Sequence, residues 1–222
     1  MSVSLMYQGL PPDSGFVERV QSGEWHTSGV SEACFWLKHG AHVRGGVIKP
    51  EPGVKHPHTS DGGEPVWNWC CEAVGRFPSL PQRNLDVHKS HQWLPFVLSA
   101  KVRHRRRWPR PTPVDPRSWD DLETDFDQLA EQALDGAPQI APGVTGTQGL
   151  PIRFMERRVV NDFGLCVGAI DQSEIDRRIS ELVELNHFGP WHVEQCKAIF
   201  SEFQQFFVQV AERGEDFLVI WE

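Results

Sequence analysis

Six of the ten histidines (His39, His42, His56, His58, His88, His91) and three of the five cysteines fall between Cys34 and His91. Neutral imidazole and thiolate are both good zinc ligands. His39-x-x-His42 could set two imidazoles on adjacent turns, and His56-Pro-His58 could offer a second pair from a loop. His39, His42, His56 and His58 are therefore the candidate metal ligands, with zinc as the candidate ion. Their spacing matches no established zinc pattern, however. His39 also stands where a helix should end, and an imidazole there is accounted for by the dipole and the free carbonyls. The expectation is a chain with no resident cofactor. A metal-dependent or small-molecule enzyme with a His-lined site in residues 39–58 is the alternative.

Charge gives a second set of candidates. The chain carries 22 Lys and Arg against 30 Asp and Glu, a formal net charge of −8. Residues 101–117 hold seven basic residues, and Arg103-His-Arg-Arg-Arg-Trp-Pro-Arg110 has the look of a nucleic-acid patch with Trp108 available for stacking. The next stretch, residues 118–135, holds seven acids and no Lys or Arg, so it can neutralise that patch. An acidic helix within an acidic protein repels phosphate, and nucleic acid is not the expected partner. Asp120, Asp121, Glu123 and Asp127 could in principle supply paired catalytic carboxylates, but such a run is ordinarily a solvated face. Together with Trp108 and Trp119 they are instead the candidate contacts for a protein partner, since exposed Trp is a frequent hot-spot residue. Trp25 is a further candidate for an exposed anchor, whereas Trp67, Trp69 and Trp93 have core-like neighbours.

Other catalytic signatures are absent. Gly143-Val-Thr-Gly-Thr-Gln-Gly149 has neither the lysine of a P-loop nor the order strand, loop, helix, and reads as a flexible connector. No G-x-S-x-G elbow and no H-E-x-x-H occurs.

The elements that would position these residues follow from periodicity and punctuation. Ser2–Tyr7 reads as a first strand, followed by a short helix through Phe16, Val17 and Val20 and another over Ser31–His39. Residues 40–65 contain six Gly and four Pro, an irregular excursion of a length that is usually functional. Val66–Phe77 and a segment from Asp86 through Leu98 are expected to be helical, the latter weakened by Pro95. Trp119–Leu134 has a broad apolar stripe. Asp171-Gln-Ser-Glu174 resembles a capping box opening a helix over Ile175, Ile179, Leu182 and Val183. The longest helix, entered at Pro190, carries Cys196, Ile199, Phe200, Phe203, Phe206, Phe207 and Val210 and stops at Gly214, before an apolar strand at Phe217–Trp221. Cys196 in that stripe should behave as a small hydrophobe. The predicted fold is α+β, a helix-rich single domain with a small sheet that includes both chain ends. No stretch of eighteen apolar residues exists, the first residues lack a signal peptide's pattern, and five scattered cysteines suit a reducing compartment. The expected location is cytoplasmic.

The segment Phe203-Gln-Gln-Phe-Phe-Val-Gln-Val-Ala-Glu-Arg-Gly-Glu-Asp-Phe-Leu-Val-Ile220 resembles the C-terminal signature of the YfbM-like family, small bacterial proteins of unknown function. That family ends in a helix, an Ala-x-x-Gly step and an apolar strand. Val167–Ile175 resembles the family's short strand, capping residue and Glu-rich helix start. Asp86–Ser99 is similar to its central Asp-x-Lys-Ser-Trp-His-x-Leu-His-Phe-Leu-Leu-Thr-Gly element. In that element the family's Trp and both His correspond to His91, Gln92 and Pro95, and its Thr-Gly to Ser99-Ala100, so any activity of those histidines is lost here. The resemblance implies a single YfbM-like domain over residues 1–222, with loop insertions at about 40–65, 101–117 and 137–151. The functional expectation is a non-enzymatic protein-binding protein, of the kind exemplified by immunity proteins that neutralise a toxin by occlusion. No membrane partner is expected.

Overall fold

The computed structural model describes residues 4–39, 66, 68, 69, 72, 73, 83–87, 93–99, 125–146, 148–184 and 192–221. Its centre is a four-stranded antiparallel sheet in the order β2-β1-β4-β3. β1 is Leu5–Leu10, β2 Asn84–Asp86, β3 Arg153–Met155 and β4 Asp216–Trp221. The two chain ends pair along their whole length, from Leu5 opposite Trp221 to Leu10 opposite Asp216, as the sequence predicts. β1 is shifted three residues from the expected Ser2–Tyr7. It continues through Gln8 and Gly9, which alternation alone would not have kept in a strand.

The reason is that both faces of the sheet are covered, so every residue of β1 is buried. Side chains alternate across a strand, and this divides the core in two. Leu5, Tyr7, Phe217 and Val219 face one helical layer, while Met6, Leu10, Phe154, Leu218 and Ile220 face the other. The first layer is built from α3 (Leu94–Leu98), α4 (Asp125–Glu131), α5 (Arg157–Gly168), α6 (Gln172–Glu184) and α7 (Val193–Glu212). The second holds α1 (Phe16–Gln21), α2 (Thr27–His39) and helical residues among 66–73. No helix among the described residues is long and apolar enough to cross a membrane.

α7 supplies the heart of the first layer. Cys196, Phe200, Phe203, Phe207 and Val210 recur at three and four residues and are all buried. Tyr7 stands among their rings, with centroids 5.1 Å from Phe207 and 5.7 Å from Phe217, both edge to face. Each such aromatic side chain stabilises the fold by roughly 1.5–3 kcal/mol through burial alone. Cys196 is part of this stripe, and burial pushes its thiol up to about 11, which makes it the inert hydrophobe expected. Gly214 closes the helix with φ 62°, a left-handed conformation that glycine adopts without strain.

α5 packs across α7 at very short range, and sequence periodicity had not singled it out. A Cβ at Gly164 would lie 2.8 Å from the Phe207 carbonyl oxygen and 2.7 Å from Ala211 Cβ, so the crossing needs glycine. The helix ends where the family resemblance suggested a short strand. The Ala169 amide still bonds to the Leu165 carbonyl, and Gln204 Nε2 donates to the carbonyls of Val167 and Ile170. With the Val167 and Ile170 carbonyls held by α7 and the Ala169 and Ile170 amides bonded back into the helix end, this segment is a helix terminus and not a strand.

Other expectations shift for local reasons. Asp86 ends β2 instead of opening a helix, and Pro95 sits in the first turn of the short α3, where its missing N–H costs nothing. α4 runs into a π-helical turn at Gln132–Gly136, closed by the Ala137 amide on the Gln132 carbonyl at 3.1 Å. The described residues of Gly143–Gly149 are tied down where a flexible connector was expected, the Thr145 amide donating to Thr27 Oγ1 and the Gly146 amide to the Leu150 carbonyl. Ile140, Ala141 and Val144 are buried in the second layer; the Ile140 amide donates to the Ile152 carbonyl, and the Ile152 amide donates to the Val144 carbonyl. Trp25 is not an exposed anchor: it is 1% exposed, edge to face with Phe16 and Trp69. At α6 the capping expectation is met, with the Glu174 amide donating to Asp171 Oδ1 at 2.9 Å. Ile175, Ile179 and Leu182 are buried there, and Val183 is half-buried.

Candidate functional site

One end of the sheet gathers the C-terminal residues of β1 and β3 and the first residue of β4, because β4 is antiparallel to both. Chain segments leaving the sheet here enclose a cleft of about 370 Å³. Leu10, Phe16 and Phe154 give it an apolar wall; Asp13, Glu18, Glu156 and Asp216 bring carboxylates, and Arg157 and Arg158 bring guanidiniums. The volume is at the small end of the roughly 300–1,000 Å³ typical of ligand pockets.

Each charged side chain is positioned by an identifiable local feature. Asp13 lies in the turn after β1 with φ 54°, a left-handed conformation that aspartate tolerates better than most residues. Gly15 follows with φ 70° and allows α1 to start at Phe16, which brings Glu18 to the rim. Glu156 has extended backbone and precedes the first turn of α5, so Arg157 and Arg158 sit at that helix's positive end with no acid in its first turn. The compensating acid comes from β4: Asp216 Oδ1 accepts the Arg157 amide at 2.5 Å. Arg157 reaches toward Asp13 at 4.0 Å, an exposed pair of little energetic weight.

Asp216 is half-buried. Burial pushes its carboxyl above the ordinary carboxylate range, the Arg157 amide and guanidinium draw it back down, and Glu156 and Glu18 add to the rise. The cleft thus holds a carboxylate whose charge is incompletely offset by its surroundings.

The neighbouring acid has the opposite environment. Glu215 is 1% exposed and accepts Arg83 Nε at 2.8 Å and Arg213 Nε at 3.0 Å on one oxygen, with Arg213 Nη2 at 3.2 Å from the other. Its carboxylate lies directly on β1, where a Cβ at Gly9 would come within 2.5 Å of Oε2. This network is saturated and ties β2, β1 and β4 together.

None of the residues chosen from sequence is among the described residues that line the cleft. Trp108, Trp119, Asp120, Asp121, Glu123, His42, His56 and His58 lie outside the described residues. Asp127 is in α4 and His39 is the last residue of α2, but their side chains are outside the described set as well. Among the described residues no group of three or more His, Cys, Asp or Glu is placed to hold a metal ion. The cleft residues come from three segments far apart in sequence, joined only by strand pairing. The available signals were local: the Asp13-Ser-Gly15 turn, the Glu156-Arg-Arg158 run and an acid two residues after the Gly214 cap. No protein-family model, curated protein or solved structure matches the chain.

Proposed function

We propose that the chain is a non-enzymatic, cytoplasmic protein-binding protein that acts by occluding its partner, a cognate toxin being one such partner, and that the cleft between α1 and the start of α5 anchors the contact. The observation carrying this reading is a concave volume of about 370 Å³ with an apolar wall and a charged rim. Anchoring pockets of that kind hold the few residues that dominate an interface. The excess acidity of the chain supports it by favouring encounter with a basic partner. In this reading the acids at Asp120, Asp121, Glu123 and Asp127 steer approach, and Trp108 and Trp119 add contacts. Kinship with the YfbM-like family belongs to the same proposal. It is supported by the helix, Ala211-Glu-Arg-Gly214 step and strand that close the chain.

The test starts with the partner retained by the wild-type chain from extracts of its native host, identified by mass spectrometry. Its association is then measured against a Glu18→Lys, Glu156→Lys double variant. The expected result is slower association, a flatter dependence on salt and a weaker complex. A partner bound equally well by both proteins removes the cleft from the interface.

A further inference from the structure

We infer that the cleft is a seat for one basic side chain of the partner, arginine or lysine, whose stem lies on the Leu10, Phe16 and Phe154 wall and whose charge meets the carboxylates of Asp216 and Glu18. This rests on the protein-binding reading above and names the chemistry of its anchor.

The cleft offers two opposite electrostatic options, and its geometry separates them. The positive end of α5, flanked by Arg157 and Arg158, would ordinarily invite an anion. That position is filled: the Arg157 amide is already donated to Asp216 at 2.5 Å, so an anion would have to displace a carboxylate of the protein itself. The Arg157 guanidinium is also turned toward Asp13. Among the described residues that line the volume, four carboxylates face two guanidiniums. Asp216 accepts one backbone amide and feels the Arg157 guanidinium, while Glu156 and Glu18 press on it with like charge. A guanidinium or ammonium entering here supplies the missing counter-charge, where an anion would add to the repulsion. The apolar wall fits the same occupant, because lysine and arginine lay their methylene stems along apolar surface while the head stays polar. A neutral aliphatic side chain would use the wall and leave the carboxylates unmatched.

The experiment uses the full chain and three small probes: Nα-acetyl-L-arginine amide, Nα-acetyl-L-norleucine amide and inorganic phosphate. Amide chemical shifts of residues 13–18, 156–158 and 216 report occupancy. The expected result is saturable shifts with the arginine probe alone. Its affinity should fall about tenfold in Asp216→Asn, the scale of one lost charge-assisted contact. Because Asp216 also caps α5, the exposed Glu18→Gln is the companion variant and should weaken the same probe without touching that cap. Phosphate moving these amides while the arginine probe does not would overturn the inference in favour of an anion site. Equal binding of norleucine and arginine amides, or arginine binding indifferent to both substitutions, would overturn it as well. The two proposals fail separately. Arginine binding with a partner complex indifferent to the cleft leaves the seat and removes the interface. A partner complex that needs the cleft, with no arginine binding, does the reverse.

Discussion

Replacing Gly164 by alanine should destabilise the protein, although alanine is the better helix former. Helix propensity favours the change by about 0.8–1 kcal/mol. Against it stand two contacts that the new Cβ would make, 2.7 Å to Ala211 Cβ and 2.8 Å to the Phe207 carbonyl oxygen. Comfortable carbon contacts lie near 3.5–4.0 Å, so α5 and α7 must part by roughly 1 Å. The opposing atoms belong to a backbone and to a short side chain on the facing helix, and neither can rotate away. Parting the helices loosens the edge-to-face contact of Phe163 and Phe207, whose centroids are 4.7 Å apart. Overpacking of this kind typically costs about 1–3 kcal/mol. A penalty toward the upper end leaves a net loss of about 1–2 kcal/mol after propensity is credited, or a fall in Tm of roughly 2–8 °C for a domain of this size. Gly168→Ala is the internal control. Its Cβ would meet only Val208 Cγ2, at 3.0 Å, and a valine methyl can yield by a small shift. Thermal unfolding followed by circular dichroism reads both variants. A Gly164→Ala protein as stable as wild type, or less damaged than Gly168→Ala, would refute the close crossing. Since α5 carries Arg157 and Arg158 into the cleft, the Gly164 variant should also disturb the amide signals of residues 156–158.

Other substitutions probe the charges. Glu215→Ala removes the carboxylate that the buried Arg83 and the partly buried Arg213 donate to and should cost about 3 kcal/mol, the usual consequence of breaking a buried pair. An unchanged urea midpoint would show that the network contributes nothing. Asp171→Ala removes the acceptor for the Glu174 amide at the start of α6 and should cost about 1 kcal/mol. The neighbouring Glu174 sets an acid limb. Hydrogen bonds from Arg177 and then Arg178 hold its carboxyl at about 2, below its ordinary 4.5. Its folded pKa is the lower one, so its contribution is complete above about 4.5 and is lost as pH falls toward 2. Glu174→Gln should flatten the pH dependence of Tm in that window, and an unaltered acid limb would assign the effect to other carboxylates.

How far the sequence reveals this molecule depends on whether a feature is local. α7 was legible because Cys196 through Val210 repeat on one helical face and Gly214 stops them. The cap at Asp171 was legible because a capping box spans four residues. Pairing of the chain ends could be inferred from two apolar strands with no nearer partners. α5 escaped because its buried positions, Val160, Phe163, Gly164 and Val167, are broken by a glycine. That glycine lowers helix propensity, and only the facing carbonyl of Phe207 explains it. Trp25 differs from the expectation because the polar sequence around it does not show its ring partners Phe16 and Trp69, which bury it while the Arg19 guanidinium lies over the ring at 5.8 Å. The candidate site was the least legible part. Its charges are ordinary surface residues in sequence, and only the pairing of Leu10 with Asp216 gathers them.

The contrast between Glu215 and Asp216 shows how the fold separates stability from recognition. Two successive acids enter β4 on opposite faces, since side chains alternate along a strand. Glu215 falls on the side of Gly9 and Tyr7, where two arginines are waiting and no solvent reaches it. Asp216 falls on the side of Leu10, where a backbone amide and one exposed guanidinium are offset by two further acids. The same charge is therefore held by two arginine side chains at one position and by a backbone amide at the next. A one-residue slip of β4 that put Glu215 in the place of Asp216 would turn Asp216 onto the opposite face, in the place of Phe217. Glu215 would then leave the face on which Arg83 and Arg213 hold it, so the register that closes the sheet also keeps Asp216 in the cleft. Substitutions at Glu215 should accordingly read out in unfolding, and substitutions at Asp216 chiefly in the binding of a cationic probe.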